Sequence, residues 1–270
     1  MTTQPVTAVA EEEDEVLEPR DTTLRAFIGS TLTFVVLLVA WELLVWYLKI
    51  PTWLLPSPSA IAQAMMEWKD ELVRHTLVTL YETLVGFAAA IALSIPLAVL
   101  IVYSPILRNT IYPILLVFQS VPKVAIAPLL LLWIGFGELP KIVVVFLVCF
   151  FPIIVATATG LAAVPNSLMD LIRSLSASTM QTFIKIRFPT AMPHIFVGLK
   201  IAITFAVIGA VIGEFVGSES GLGFLILVSS SQSRTPVAFG ALVLLTVMSI
   251  VLYYGIAAIE RIVVPWAPRN

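Results

Sequence analysis

Six long apolar runs, separated by short polar or proline-rich segments, take up most of the chain; they lie at approximately 26 to 48, 79 to 102, 111 to 134, 141 to 163, 195 to 216 and 237 to 260. Each can cross a hydrocarbon layer roughly 30 Å thick, which needs about 20 mostly apolar helical residues. None alternates in runs of about ten residues as barrel strands do. The pattern therefore predicts an all-α integral membrane protein with six transmembrane helices. Of the connections, 49–78 contains Ser57-Pro58, a side-chain cap followed by a first-turn proline, and this predicts a short interfacial helix over Ala60 to Trp68. Connection 217–236 contains Gly221 to Val228, apolar but too short to cross, and is expected to be partly inserted.

The connection at 164–194 carries the most pattern. Leu168, Leu171, Ile172 and Leu175 recur at helical spacing and make one apolar stripe on a short helix. Ser176-Ala177 interrupts it, and Ser178 with Gln181 matches a capping box that opens a second helix. Pro189 and Pro193 are expected to stop that helix before the fifth span. Such an elbow can lie on lipid headgroups or dock into a partner's groove.

Composition agrees with a lipid-facing bundle: 59% of residues are hydrophobic, 12% are charged, and the mean hydropathy is +1.02. A soluble domain, with about 25% charged residues, has far more polar surface. The net charge of −2 hides an uneven distribution, because residues 1–25 hold seven acids against Arg20 and Arg25. That stretch is expected to be a disordered, solvated cytoplasmic tail. With the N-terminus cytoplasmic, nine Lys and Arg fall on the cytoplasmic side and five outside, which predicts cytoplasmic N- and C-termini. Cys149 is the single cysteine, so a disulfide within the chain is excluded.

Several residues then match a known pattern. Asp170-Leu171-Ile172-Arg173-Ser174-Leu175-Ser176-Ala177-Ser178, followed by Ile186-Arg187-Phe188-Pro189, resembles the cytoplasmic "EAA" loop of binding-protein-dependent ABC importer permeases. Spacing is kept, while Asp170-Leu171-Ile172 stands for Glu-Ala-Ala, Ser176 for the usual Gly, and Phe188 for Leu. Ser120 to Leu129, Trp133 to Gly137, Gly213-Glu214-Phe215-Val216-Gly217 and Ser220-Gly221-Leu222-Gly223 resemble the subgroup that imports nitrate, sulfonates, taurine, and vitamins or their precursors.

The resemblance implies a type I (MetI-like) importer fold with a permease core at about 75–264. It implies pairing with a second permease copy in the lipid bilayer of the cell (inner) membrane, a cytoplasmic ABC ATPase dimer and an external solute-binding protein. It implies no enzyme activity, no nucleic-acid partner and no cofactor on this chain, ATP and Mg residing on the ATPase. In agreement, no Gly-x-x-x-x-Gly-Lys-Ser/Thr phosphate loop occurs. The coupling residues it implies are Leu168, Asp170, Leu171, Ile172, Arg173, Leu175, Ser176, Ala177 and Pro189.

Ionisable groups inside spans are costly and face protein or a water-filled path. Lys123, between Pro122 and Pro128 in the third span, is expected to line the path or to pair with an acid, Glu82 and Glu214 being the candidates. Gly209, Gly213 and Gly217, spaced by four, form a small-residue ridge for close helix packing, within the subunit or across a dimer axis. Glu214 points off that ridge, toward a central cavity. His75 and His194 have no companions at metal-ligand spacing. Few buried bases favour a neutral heterocycle, a vitamin or precursor such as riboflavin or a thiamine-type pyrimidine, over sulfonate, taurine or nitrate. A secondary transporter working without ATP is the competing class, although matching broken helices in the two halves are not evident.

Overall fold

The computed structural model describes residues 20–266. The acidic stretch 1–19 lies outside the described residues. Helix α1 (Arg20–Tyr47) belongs to one unit, which ends at Ile50. It starts six residues before the expected first span, within the stretch read as tail. It closes with Ile50 N–H donating to the Val45 carbonyl and Lys49 N–H to that of Trp46, while Lys49 takes φ 50°. This pair of bonds satisfies the last carbonyls.

The second unit, from Pro51 onward, contains α2 (Pro58–Glu67), α3 (Lys69–Tyr103), α4 (Pro105–Gln119), α5 (Lys123–Ile134), α6 (Glu138–Ala162), α7 (Asn166–Ser174), α8 (Thr179–Thr182), α9 (Phe188–Gly217), α10 (Leu222–Ser231) and α11 (Thr235–Val263). The Ser57 hydroxyl caps α2 through Ala60 N–H. Helix α3 begins at Lys69, ten residues before the expected second span. Its inward face starts with Leu72, His75, Thr79, Glu82 and Thr83, and hydropathy counts most of these polar residues against a span.

The third span is not continuous. Helices α4 and α5 meet at a bend of 96°, because Pro122 takes an extended ψ of 104° and has no N–H to carry the ladder onward. Across 179–217 the expected break is absent. A π-turn at Phe183–Arg187 joins α8 to α9, with Phe188 N–H donating to the Phe183 carbonyl. The wider turn admits Pro189 without ending the helix, and one continuous helix of 39 residues results. Among the described residues four helices are long and apolar enough to cross a membrane; the bent α4–α5 pair makes a fifth, and Thr31–Tyr47 is a shorter apolar helix within α1.

Helices α3, α6 and α9 build the main core, with Phe87, Ala90, Val145, Cys149, Ile153, Leu199, Ala202, Ile203 and Ala206 buried together. Close approach rests on glycine. A Cβ at Gly209 would stand 3.1 Å from Val145 Cα, and one at Gly213 would stand 3.0 Å from Lys141 Cα. The Cys149 thiol donates to the Ala202 carbonyl and the Ser94 hydroxyl to that of Phe150, so these two polar groups between helices are satisfied internally, as lipid favours.

Candidate functional site: an exposed elbow and a buried charge cluster

The stripe read from the sequence divides in the structure. Ile172 is buried at 7% exposure, whereas Leu171 and Leu175 stand out at 56% and 72%. Leu168 is half-buried and shares a groove with Lys185, Ile186, Pro189, Thr190 and Trp266. On the other limb Met180 and Ile184 are exposed. Two pairs of apolar side chains, each pair four residues apart, therefore project from the elbow. Asp170 and Arg173 bridge at 3.1 Å with both side chains in solvent, and such a pair adds little.

At the bend, Ser176 N–H donates to the Arg173 carbonyl and Ala177 N–H to that of Ile172, with Ser176 at φ 53°. Serine thus takes the left-handed position usually given to glycine. Ser176→Gly is expected to raise stability by about 1 kcal/mol, the strain of a Cβ in that region, measured as a shift in thermal unfolding; no shift would show that the bend is already relaxed. The capping box forms as read: Gln181 N–H donates to Ser178 Oγ at 3.2 Å and Ser178 N–H to Gln181 Oε1 at 2.9 Å. The Arg187 guanidinium lies 5.1 Å from the Tyr103 ring centroid and Phe183 meets the same ring edge-on, which fastens the elbow to the end of α3.

Among the described residues Lys123 forms no ion pair with an acid. Its Nζ donates to the Gln119 carbonyl at 2.5 Å and lies 5.2 Å from the Phe151 ring centroid, so the kink keeps it near α4. The partner of Glu82 is Lys141, a base that the charge count places outside the membrane. Lys200, counted on the other side, pairs with Glu260 at 2.8 Å; one base leaves each tally and the balance is unchanged.

Glu214 does not look into a cavity. At 1% exposure, its Oε1 accepts from the Thr79 hydroxyl at 2.6 Å and its Oε2 from Gly223 N–H at 2.5 Å. Thr79 Oγ1 in turn accepts from Leu222 N–H, and His75 Nδ1 from Gly221 N–H, both at 2.8 Å. His75, without an assignment from the sequence, is thus part of the network. Three consecutive donors at the start of α10, Gly221, Leu222 and Gly223 N–H, which a helix leaves unsatisfied, are taken by side chains of α3 and α9. Lys141 Nζ also donates to Ser218 Oγ at 3.0 Å.

The glycines follow from this cluster. Gly221 has φ +107°, and a Cβ there would fall on the Glu214 carboxylate; one at Gly223 would stand 2.8 Å from Oε2. On the ridge, Gly209 and Gly213 face α6, while Gly217 faces Leu131 of α5. Thr79 and Ser218, and the role of Lys141 as the partner of Glu82, are not among the sequence expectations. The available signal was that two acids inside spans require partners, and Lys141 sits at the start of an apolar run within reach of them.

A separate groove between α9 and α11 is lined by Val207, Ile208, Phe215, Leu245, Thr204, Thr246 and Ser249 among others, none of the lining residues being charged.

Residues 85–267 match the family model described as "Binding-protein-dependent transport system inner membrane component". The chain is 33% identical over 241 residues to the formylaminopyrimidine transport permease protein of Halalkalibacterium halodurans, covering 89% of this chain and 96% of that one. It is 28% identical over 233 residues to a putative aliphatic sulfonates transport permease protein of Bacillus subtilis, covering 86% and 84%. A solved structure of the MetNI methionine ABC transporter, in an inward facing conformation, superposes with a TM-score of 0.63 at 24% identity over 72% of this chain and 97% of that one.

Proposed function

The chain belongs to the binding-protein-dependent transport system inner membrane components, and from that premise we propose that it forms the membrane path of an ATP-driven importer. In this reading two copies pair, an external binding protein delivers solute, and a cytoplasmic ATPase pair grips the elbow. The carrying observation is the exposure of Leu171, Leu175, Met180 and Ile184 on an elbow whose second limb is the first part of a 39-residue helix. A helix of that length spans about 58 Å. It joins the elbow to Glu214 at its far end, so displacement at one end is felt at the other.

For the solute, we favour a neutral heterocycle of the vitamin-precursor class. Support comes from the uncharged lining between α9 and α11, where Thr204 and Thr246 donate to their own helix carbonyls at 3.1 and 2.9 Å and keep lone pairs free for an N–H of a solute. Lys141, which an oxyanion would seek, is occupied by Glu82. The named relative that handles formylaminopyrimidine, 33% identical, points the same way. The test is uptake of a labelled aminopyrimidine into vesicles holding the permease, its ATPase chain and its binding protein. Uptake is expected only with ATP, and an excess of taurine should not compete. Uptake without ATP would overturn the importer reading; competition by taurine would move the solute class to sulfonates.

A further inference from the structure

The buried cluster does not balance its charges. Facing one another are Glu82 and His75 of α3, Lys141 of α6 and Glu214 of α9, with exposures of 0% for Glu82 and 5% for Lys141; Glu82 and Glu214 interact with each other, and both with Lys141. Helix α10 contributes no charged side chain. Glu71 and Arg74 act on His75 from the same helix, and Glu138 acts on Glu82 from the exposed start of α6. His75 supplies no second cation in this arrangement: its Nδ1 accepts the Gly221 N–H and so carries no proton of its own. Two carboxylates and one ammonium remain, one negative charge in excess. Adjacent buried carboxylates do not both ionise cheaply.

We infer that the Glu82–Lys141–Glu214 cluster binds one proton, shared between its two carboxyl groups, and that this proton keeps α10 seated against α3 and α9. Glu82 faces the ammonium of Lys141. Glu214 accepts from a hydroxyl and from a backbone N–H at the start of α10, where the helix dipole favours an anion. Both carboxyl groups thus have partners for a negative charge, and the proton is shared between them rather than fixed on one. When it leaves, the excess charge is relieved only by admitting water, and the segment whose displacement admits it is Gly221–Gly223, held by three side-chain acceptors. This inference stands on the fold alone, whichever solute the protein carries.

The test reads the seating of α10 directly, in the full chain in lipid vesicles. Ser229 on α10 is buried and Ser230 is exposed. In a Cys149→Ala background, Ser229→Cys and Ser230→Cys are labelled separately with a thiol reagent, and the ratio of their rates is compared with the same ratio in the Glu82→Gln background, which carries the same two thiols and so cancels their own ionisation. From about pH 6 to about pH 9 the ratio is expected to rise by roughly tenfold as the proton is lost. With Glu82→Gln added, one carboxyl is gone, Lys141 balances the charge of Glu214, and the ratio should stay low across the range. A flat ratio in the parent overturns the inference, and so does a rise that persists with Glu82→Gln. A ratio already high at the lower pH in Glu82→Gln also counts against it, since that outcome makes the negative charge of Glu82 the thing that seats α10. Infrared difference spectra supply an independent reading: a protonated-carboxyl band is expected in the parent and should vanish with Glu82→Gln, and its absence from the parent would refute the shared proton.

Discussion

Replacing Lys141 by methionine is expected to lower the stability of the membrane domain by about 3–5 kcal/mol, the penalty for leaving a buried charge without its partner. Methionine keeps most of the volume, so the loss reports charge rather than packing. Glu82 and Glu214 would then share a site with exposures of 0% and 1% and no cation. Domains are stable by only about 5–15 kcal/mol, so the variant should show a marked fall in melting temperature in detergent and in yield from the membrane. Adding Glu82→Gln removes one of the two carboxyl groups left without a cation, and the double variant should regain more than half of the loss. A double variant no better than Lys141→Met alone would show that the lysine stabilises through its packing against Gly213 and not through the pair.

The same cluster shows where a sequence becomes hard to read. Long apolar runs near 141–163 and 237–260 gave helices at Glu138–Ala162 and Thr235–Val263, because lipid-facing residues announce themselves by hydropathy alone. Polar residues that face inward carry the opposite signal. Thr79, Glu82 and Thr83 are buried, yet they weaken the apolar window, and this moved the expected start of α3 ten residues too late. The capping box at Ser178 is a local device and was legible from spacing. Pro189 was misread because its effect depends on the turn before it: a standard helix cannot carry it, while the π-turn at Phe183–Arg187 does. Lys141 as the partner of Glu82 is a contact between helices, and no periodicity along one chain reports it.

The elbow poses the opposite problem, since periodicity grouped residues that burial separates. Leu168, Leu171, Ile172 and Leu175 share helical spacing, but Ile172 is turned into its own chain, so a face read from sequence holds both an anchor and a free surface. That division makes the second large prediction sharp. Leu175→Asp changes a residue that is 72% exposed, so it should insert and melt like the parent, yet lower ATP-driven uptake by at least roughly tenfold. Burying Leu171 and Leu175 in a partner's groove is worth about 3–6 kcal/mol before ordering costs, and a carboxylate in that groove forfeits its share and adds a desolvation penalty. The ATPase chain should keep its basal turnover and lose stimulation by loaded binding protein. Ile172→Asp, on the same turn, should instead lower stability, because that side chain is buried within the permease. Uptake at the parent's level with Leu175→Asp would remove the elbow from the coupling path, and equal destabilisation by the two substitutions would mean that Leu175 is held by this chain rather than offered to a partner.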